Sequence, residues 1–552
     1  MERAGRFSLF LCGGAIVLLA LLAYIPAISG GFVWDDDFHV TGNRALRDLD
    51  GLGRIWTDLS TTPQYYPLTH TTFWMQYRLW GDNPLPYHLV NVLLHIGSAL
   101  LLWRILDRLG IPGALLAAAI FALHPVHVES VAWITERKNV LSGLFYLASG
   151  YIYIKHKLEE RESLVLPLLS LGLFFCALLS KTVTASLPVI LLMVLAWKGI
   201  RLKIRDGIFL GTMLLCGAVM GQITSFLERF QVGAMGPEWD LSIVERSLVA
   251  GRAWWFYLCK LAWPAKLAFI YPRWEIDSGA AWQYLYPAAA LAALAALLIV
   301  RKKIGWGPLT AMLCYTVTIS PALGFFNVYP MRYSFVADHF QYLASIGPIV
   351  LASVLLWRIP PPPRRVVAAL VLVACSLLTF RQGFSYADLE TLWRHTVARY
   401  DRSWMAHYNL GKILSARGDI AEAGSHYERA LAAKPDHIKS AVELANLLAD
   451  SGDHSAAIEL YRGALAIDPD HALAHYNLAL ALEQTGRPEE ALLHYRHATR
   501  IDPGLAAAHN NMAIILYNLG DYHGAARELE LAKKYGHEPH PGFVRELGDK
   551  IR

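Results

Sequence analysis

Three carboxylates stand in a row at Asp35, Asp36 and Asp37, directly after Trp34 and a few residues past a long apolar run. Adjacent carboxylates repel one another, so a cation, a hydrogen-bond donor or a catalytic task has to hold them. In an extended segment Asp35 and Asp37 share one side and Asp36 the other. One can then act as a base while its neighbours hold a metal or a hydroxyl; a solvated acidic turn is the alternative. A second group, His124-Pro125-Val126-His127-Val128-Glu129 with Arg137 and Lys138, supplies two imidazoles, an acid and two cations. Its order is not the H-E-x-x-H of a zinc helix, Pro125 opposes a regular helix between the histidines, and no third ligand is evident. It reads as a polar wall of an anion site in preference to zinc. Lys181 lies between two apolar segments, and Arg332 and His339 fall in the aromatic stretch 331–342. Basic residues among rings either hold a lipid phosphate or anchor the chain at a membrane interface. His88, Asn91 and His95 share one helix face and read as interhelical hydrogen bonds.

The elements that must position these groups are apolar. The chain has 552 residues, 55% hydrophobic and 17% charged, with mean hydropathy +0.33, where a soluble protein carries about a quarter charged residues. Apolar segments recur near 8–28, 88–106, 113–132, 140–154, 163–180, 183–197, 207–224, 283–300, 306–324, 342–357 and 366–381. Basic clusters separate them at Arg3/Arg6, Arg104/Arg108, Lys155/Lys157/Arg161, Lys198/Arg201/Lys203/Arg205, Arg301/Lys302/Lys303 and Arg358/Arg364/Arg365. All six fall on the N-terminal side if 249–263 is an interfacial or re-entrant helix and does not cross. The expectation is about 11 spans, with 29–87, 124–139, 225–282 and 325–341 opening on the far face. The first apolar run has spanning length and no Ala-x-Ala site follows it, which favours a retained span over a signal peptide. The six cysteines sit in apolar stretches without C-x-x-C spacing and read as small buried hydrophobes. A net charge of +5 is too mild to point to nucleic acid.

After residue 382 the composition turns polar and a period of 34 appears. Leu410, Leu444, Leu478 and Met512 align, as do Gly418, Gly452, Gly486 and Gly520, and Ala430, Ala464, Ala498 and Ala532; Tyr427, Tyr461 and Tyr495 take the large position. These are the marks of tetratricopeptide (TPR) helix pairs. The fold class expected is therefore all-α: a polytopic transmembrane bundle over 1–382 and a TPR α-solenoid over 383–552. One period before Tyr427 stands Trp393, so 385–399 reads as a further repeat helix. Asn409, Asn477 and Asn511 recur on the first helix of their repeats, where they either bind an extended peptide backbone in the concave groove or are solvated.

Taken in order, Phe32-Val33-Trp34-Asp35-Asp36, Tyr66-Pro67-Leu68, the run from Tyr87 to His95, His124 to Ala132 with Arg137, Ser180-Lys181 and the repeats make the chain similar to the TMTC family of TPR-bearing protein O-mannosyltransferases, and among them to bacterial relatives. The resemblance implies a C-type glycosyltransferase-like membrane domain that takes a sugar, mannose in the family, from a polyprenyl-phosphate carrier on the extracytoplasmic face. It passes the sugar to a protein Ser/Thr or other envelope hydroxyl. By carry-over Asp35, Asp36 and Glu129 are catalytic; Asp37, His124, His127, Arg137, Lys181, Arg332 and His339 bind donor or acceptor; and the repeats take the protein or peptide acceptor. Whether Asp35 and Asp36 hold a divalent cation, Mg or Mn, stays open. The implied location is the bacterial inner membrane, with the repeats in the periplasm. This chain departs from the family at Thr182, where an acid often follows the lysine, and in its short 225–282 segment. A non-catalytic membrane-anchored TPR scaffold is the competing expectation.

Overall fold

The computed structural model describes residues 2–159 and 163–552, with side chains from Leu11 onward. Arg161, and the side chains of Arg3 and Arg6, used above to orient the chain, lie outside the described residues. Two compact units form, Met1–Tyr400 and Asp401–Arg552, and no strand occurs among the described residues.

The principal helices of the first unit are α1 Glu2–Ala23, α2 Pro67–Trp80, α3 Pro84–Arg108, α4 Ala114–Leu123, α5 Arg137–Leu158, α6 Val165–Leu178, α7 Leu187–Trp197, α8 Ile204–Phe230, α9 Ile243–Ala262, α10 Leu285–Ile304, α11 Gly307–Ile319, α12 Ile346–Trp357, α13 Pro361–Gly383 and α14 Leu389–Arg399. Each apolar segment read from the sequence becomes helical. By length and composition, however, only Pro84–Arg108, Ile204–Phe230, Ala281–Ile304 and Pro361–Tyr386 suffice alone to cross a membrane, with a fifth if a bent pair counts as one span. The expected eleven are not reached on that measure. Tight turns cut several of the rest short, such as Thr182–Ser186 before α7 and Ser320–Ala322 after α11, whereas α5 has 22 residues and falls short in composition.

The bent pair shows how such a break is stabilised. Pro125 has no N–H for the Phe121 carbonyl and turns the chain by 50° between Ala114–Leu123 and Pro125–Ala132. His127 Nδ1 donates to that orphaned carbonyl at 2.8 Å, His95 Nε2 to Ala122 at 3.1 Å and Thr379 Oγ1 to Leu123 at 2.7 Å. Side chains thus supply the donors that neither water nor the next helical turn provides.

The helices have two distinct ends. At one, Arg108 Nη1 meets Glu159 at 3.1 Å, Lys157 meets Asp206 at 2.7 Å, and Lys198 Nζ donates to the Leu109 carbonyl. Several of the basic clusters are therefore neighbours in space. At the other end Arg137 Nη2 donates to the Tyr87 carbonyl at 2.8 Å, and Glu136 gathers lysines described below.

The second unit comprises four helix pairs, from Trp404–Arg417 with Ile420–Ala433 to Ala506–Asn518 with Tyr522–Lys534, followed by Pro541–Ile551. Gly418, Gly452, Gly486 and Gly520 close the first helices with φ between +73° and +94°, which L side chains rarely adopt. Gly411 accepts the Tyr427 ring at 2.6 Å from where a Cβ would stand, and Ala445, Ala479 and Ala513 hold the equivalent small positions. The packing division falls after Tyr400, not after 382. Trp393 of α14, expected to extend the repeats, packs in the first unit edge-on to Trp34 at 5.2 Å and Phe269 at 5.6 Å.

Candidate active site

The acidic triplet is split by its partners. Trp34 sits at φ +51°, a left-handed conformation costly for an aromatic residue, where the chain turns into the loop that carries the triplet. Asp36 is fully buried. Its Oδ2 accepts the Val33 N–H at 2.8 Å, and its Oδ1 accepts the Thr135 N–H at 2.8 Å and hydroxyl at 2.6 Å. Burial, with the charge of Asp35 next to it, raises its carboxyl to about 7 against those three donors. Asp36 therefore pins the first loop to the turn at Thr135 and uses three of the about four hydrogen bonds a carboxylate can accept. Asp37 is exposed and accepts the Phe38 N–H at 2.8 Å.

Asp35 has the capacity that Asp36 lacks. Its Oδ1 is buried without a hydrogen-bond partner, and its Oδ2 lies 3.5 Å from His39 Nε2. A line of imidazoles stands behind it: His70 Nδ1 donates to the Tyr66 carbonyl at 3.1 Å, so His70 Nε2 accepts from His39 Nδ1, also at 3.1 Å. His39 Nε2 is left facing Asp35, ready to take or give a proton.

The turn that Asp36 pins delivers Glu136, which is 1% exposed. Lys138 Nζ lies 3.0 Å from its Oε1 and Lys181 Nζ 3.1 Å from its Oε2. His339 Nε2 stands 3.9 Å from the same carboxylate, while His339 Nδ1 and backbone N–H both meet Glu129 at 3.0 Å. Asn139 fixes the other side of this loop by donating to the His339 carbonyl at 3.0 Å. Burial alone would raise Glu136, but His339, Lys138 and Lys181 outweigh it and hold the carboxyl well below the usual range. Burial lowers the Lys181 ammonium to about 8 in spite of Glu136. Next to this group Asp338 accepts from the Tyr271 hydroxyl at 2.9 Å; burial and the charge of Glu129 push it well above the ordinary carboxylate value.

Of the residues singled out in the sequence, Glu129, Lys181 and His339 thus converge around Glu136, and Asp35 joins them through its electrostatic contact with Lys138. Others do not. His124 donates to the Leu261 carbonyl at 2.9 Å and His127 to Phe121, so these imidazoles cap backbone and wall no anion site. Arg137 is fully buried and spends its donors on Asn91, Gln76 and Tyr87, neutral acceptors that bind three strands of chain together. Arg332 belongs to a separate aromatic group, over Tyr329, Tyr333 and Trp239 and 3.5 Å from Glu238. His88, Asn91 and His95 make the expected bonds between elements, to Gly31, Trp133 and Tyr342.

In the repeats Asn409 donates to its own helix at Met405, Asn477 to Asn446 at 2.8 Å and Asn511 to the Tyr495 hydroxyl at 3.0 Å. Sequence reasoning gave Glu136 and Asp338 no role. The one available signal was that Glu136 directly precedes the basic pair Arg137-Lys138. Three N–H and O–H donors already engage Asp36, and among the described residues no three His, Cys, Asp or Glu side chains are placed to hold a metal.

Two matches to tetratricopeptide-repeat models cover residues 404–437 and 442–506. The chain is 24% identical over 449 residues to Protein O-mannosyl-transferase F38B6.6 of Caenorhabditis elegans, covering 76% of this chain and 62% of that protein. It is 26% identical to Protein O-mannosyl-transferase TMTC4 of Homo sapiens, covering 74% and 64%, and 36% identical to Tmtc1 of Drosophila melanogaster over 29% and 20%. It thus spans at most about three fifths of the length of these curated relatives. Among solved structures, the crystal structure of MamA matches at 18% identity over 28% of this chain and 90% of that one, with a TM-score of 0.26.

Proposed function

We propose, for a chain whose relatives across three quarters of its length are TMTC-family protein O-mannosyl-transferases, that it moves a sugar, mannose as in those relatives' names, from a polyprenyl-phosphate donor to an acceptor hydroxyl. The observation that carries the reading is Asp35: a buried carboxylate oxygen without a partner, in a loop whose neighbours are two lysines sharing one acid. Asp35 removes the proton from the acceptor hydroxyl, whose oxygen attacks the anomeric carbon as the bond to the phosphate oxygen breaks, with inversion. The electron pair leaves with polyprenyl phosphate, and Lys138 and Lys181 meet that charge in a site largely closed to water. His39 Nε2 receives the proton from Asp35 and resets it. Glu129 orients His339, which helps Glu136 hold the lysines together.

The segments too short to cross alone are read as parts of an eleven-span bundle in a bacterial inner membrane. The clustering of the basic groups at one end supports this orientation: the carboxylate site then opens outward. The repeats present protein acceptors, with Asn477 and Asn511 along the groove. Reconstituted protein with a polyprenyl-phosphate mannose and a short Ser/Thr peptide tests the reading. Mannosyl peptide should appear with wild-type protein and be lost with Asp35→Asn. Transfer unaltered by that substitution would dismiss Asp35 as the base, and no transfer from any polyprenyl-phosphate sugar would dismiss the activity.

A further inference from the structure

The helices that carry the site at one end enclose a cavity toward the other. It measures about 160 Å³ and is lined almost wholly by apolar side chains of α3, α5, α7, α11 and α12, among them Leu106, Leu191, Trp197 and Val350, with Gly150 and Gly307 in its wall. Water gains nothing in such a void, and its walls forgo the dispersion contacts that a filling chain would supply.

Its mouth is basic. Trp197 lies 3.4 Å from where a Cβ of Gly307 would stand, so the ends of α7 and α11 meet there. Lys198 places Nζ 4.4 Å from the Trp197 ring centroid and donates to the carbonyl of Leu109, another lining residue. An ammonium has three donors, so Lys198 keeps two for a ligand. Arg301, Lys302 and Lys303 end α10 just before Gly307, with Arg301 5.0 Å from the Trp306 ring centroid. Of the acids at this end, Glu159 and Asp206 are engaged by Arg108 at 3.1 Å and Lys157 at 2.7 Å, and Asp107 is exposed at the end of α3, outnumbered by Lys198, Arg301, Lys302 and Lys303.

We infer that cavity and mouth form a site for one anionic phospholipid, an acyl chain filling the cavity and the phosphate resting on Lys198 with Arg301, Lys302 and Lys303 beside it. The inference rests on the membrane-spanning reading above. The charge at the mouth calls for an anionic head, and the apolar lining calls for an alkyl chain. The sugar donor fits less well, because a donor phosphate at Lys138 and Lys181 stands at the opposite end of these helices.

The test compares wild type with Lys198→Gln, Gly150→Leu and Asp35→Asn. Each is purified in mild detergent, its retained lipids are identified by mass spectrometry, and its thermal midpoint is measured in nanodiscs of phosphatidylglycerol or phosphatidylcholine. A Cβ at Gly150 meets only Leu187, at 3.6 Å, so leucine there enters the cavity. Wild type and Asp35→Asn should keep phosphatidylglycerol and gain stability from it. Lys198→Gln should hold it about fivefold less, one lysine's share of attraction to an anionic surface, and Gly150→Leu should lose it. Equal retention in Lys198→Gln, equal stabilisation by phosphatidylcholine, or polyprenyl phosphate as the molecule displaced by Gly150→Leu would each overturn the site. Because Asp35→Asn keeps the lipid while abolishing transfer, a failure of the enzymatic reading is distinguishable from a failure of this one.

Discussion

Buried polar groups in the repeat array and at the carboxylate end of the first unit are paired in different ways. In the array they recur. His407, His475 and His509 each donate Nε2 to the carbonyl six residues earlier, and each turns Nδ1 to the residue nineteen later: His426 at 2.8 Å, His494 at 3.0 Å and Glu528 at 2.6 Å. Every repeat that uses the device satisfies it internally. At the carboxylate end no arrangement repeats, and more capacity is left over: Asp35 Oδ1, the Trp133 indole N–H and the Gln341 amide are buried without partners, against His454 Nδ1 in the array. A polar group that stabilises a fold is bonded to the limit of its capacity, whereas one kept for a substrate stays open until the substrate arrives.

Substitutions can break that contrast. The largest effect is expected for Asp35→Asn, with transfer lowered about 10²–10⁴-fold as for a lost general base and the unfolding midpoint unchanged, since no hydrogen bond to its Oδ1 is removed. Glu136→Gln comes next. It leaves Lys138 and Lys181 facing each other without their acid, which should cost about 3–5 kcal/mol as for other broken buried pairs, read as a lower midpoint in thermal unfolding.

Asp36→Asn sharpens the comparison between neighbours. Placing an amide N–H against one of its three donors should cost about 1–3 kcal/mol, while turnover per folded molecule stays near wild type; a loss of turnover like that of Asp35→Asn would make Asp36 the base after all. Raised from 3.8 to about 7, the Asp36 carboxyl binds its proton more tightly in the folded chain. Its stabilising contribution is full below pH 3.8 and lost as pH rises through 7, and the asparagine variant should lack that slope in denaturant titrations.

The array should respond to pH in the other direction. Burial, with His475 opposite, holds His494 at about 4, so the unfolded chain takes up protons first as pH falls below 6.5. Midpoints of the repeat unit should drop between pH 6.5 and 4, and less so in His494→Gln; an unchanged profile would mean that the His475–His494 contact does not restrain protonation. The smallest effect belongs to Asn477→Ala, about 1 kcal/mol for its bond to Asn446. It should weaken protein acceptors and leave a short peptide acceptor unaffected. If both acceptors weaken equally, the groove does not bind substrate.

Much of this protein was legible in its residue order. The repeats announce themselves because each helix pair packs on its nearest neighbours, so the left-handed turn at Gly418 and the ring of Tyr427 against a small residue both return one period away. The apolar segments became helices for a similarly local reason, since an apolar stretch shut off from water must satisfy its backbone polar groups within the segment. Which acid serves as base was not legible. Asp35 and Asp36 are adjacent and chemically alike, and only the arrival of Thr135, 99 residues on, engages one and spares the other. His127 and Glu129 lie two residues apart in one motif, yet Pro125 claims the first for a broken helix while His339, 210 residues away, claims the second for the site. Composition and period report interactions between near neighbours in the chain; the partner of a buried charge is set by which loops the helices bring together, and that was decided by the tertiary structure.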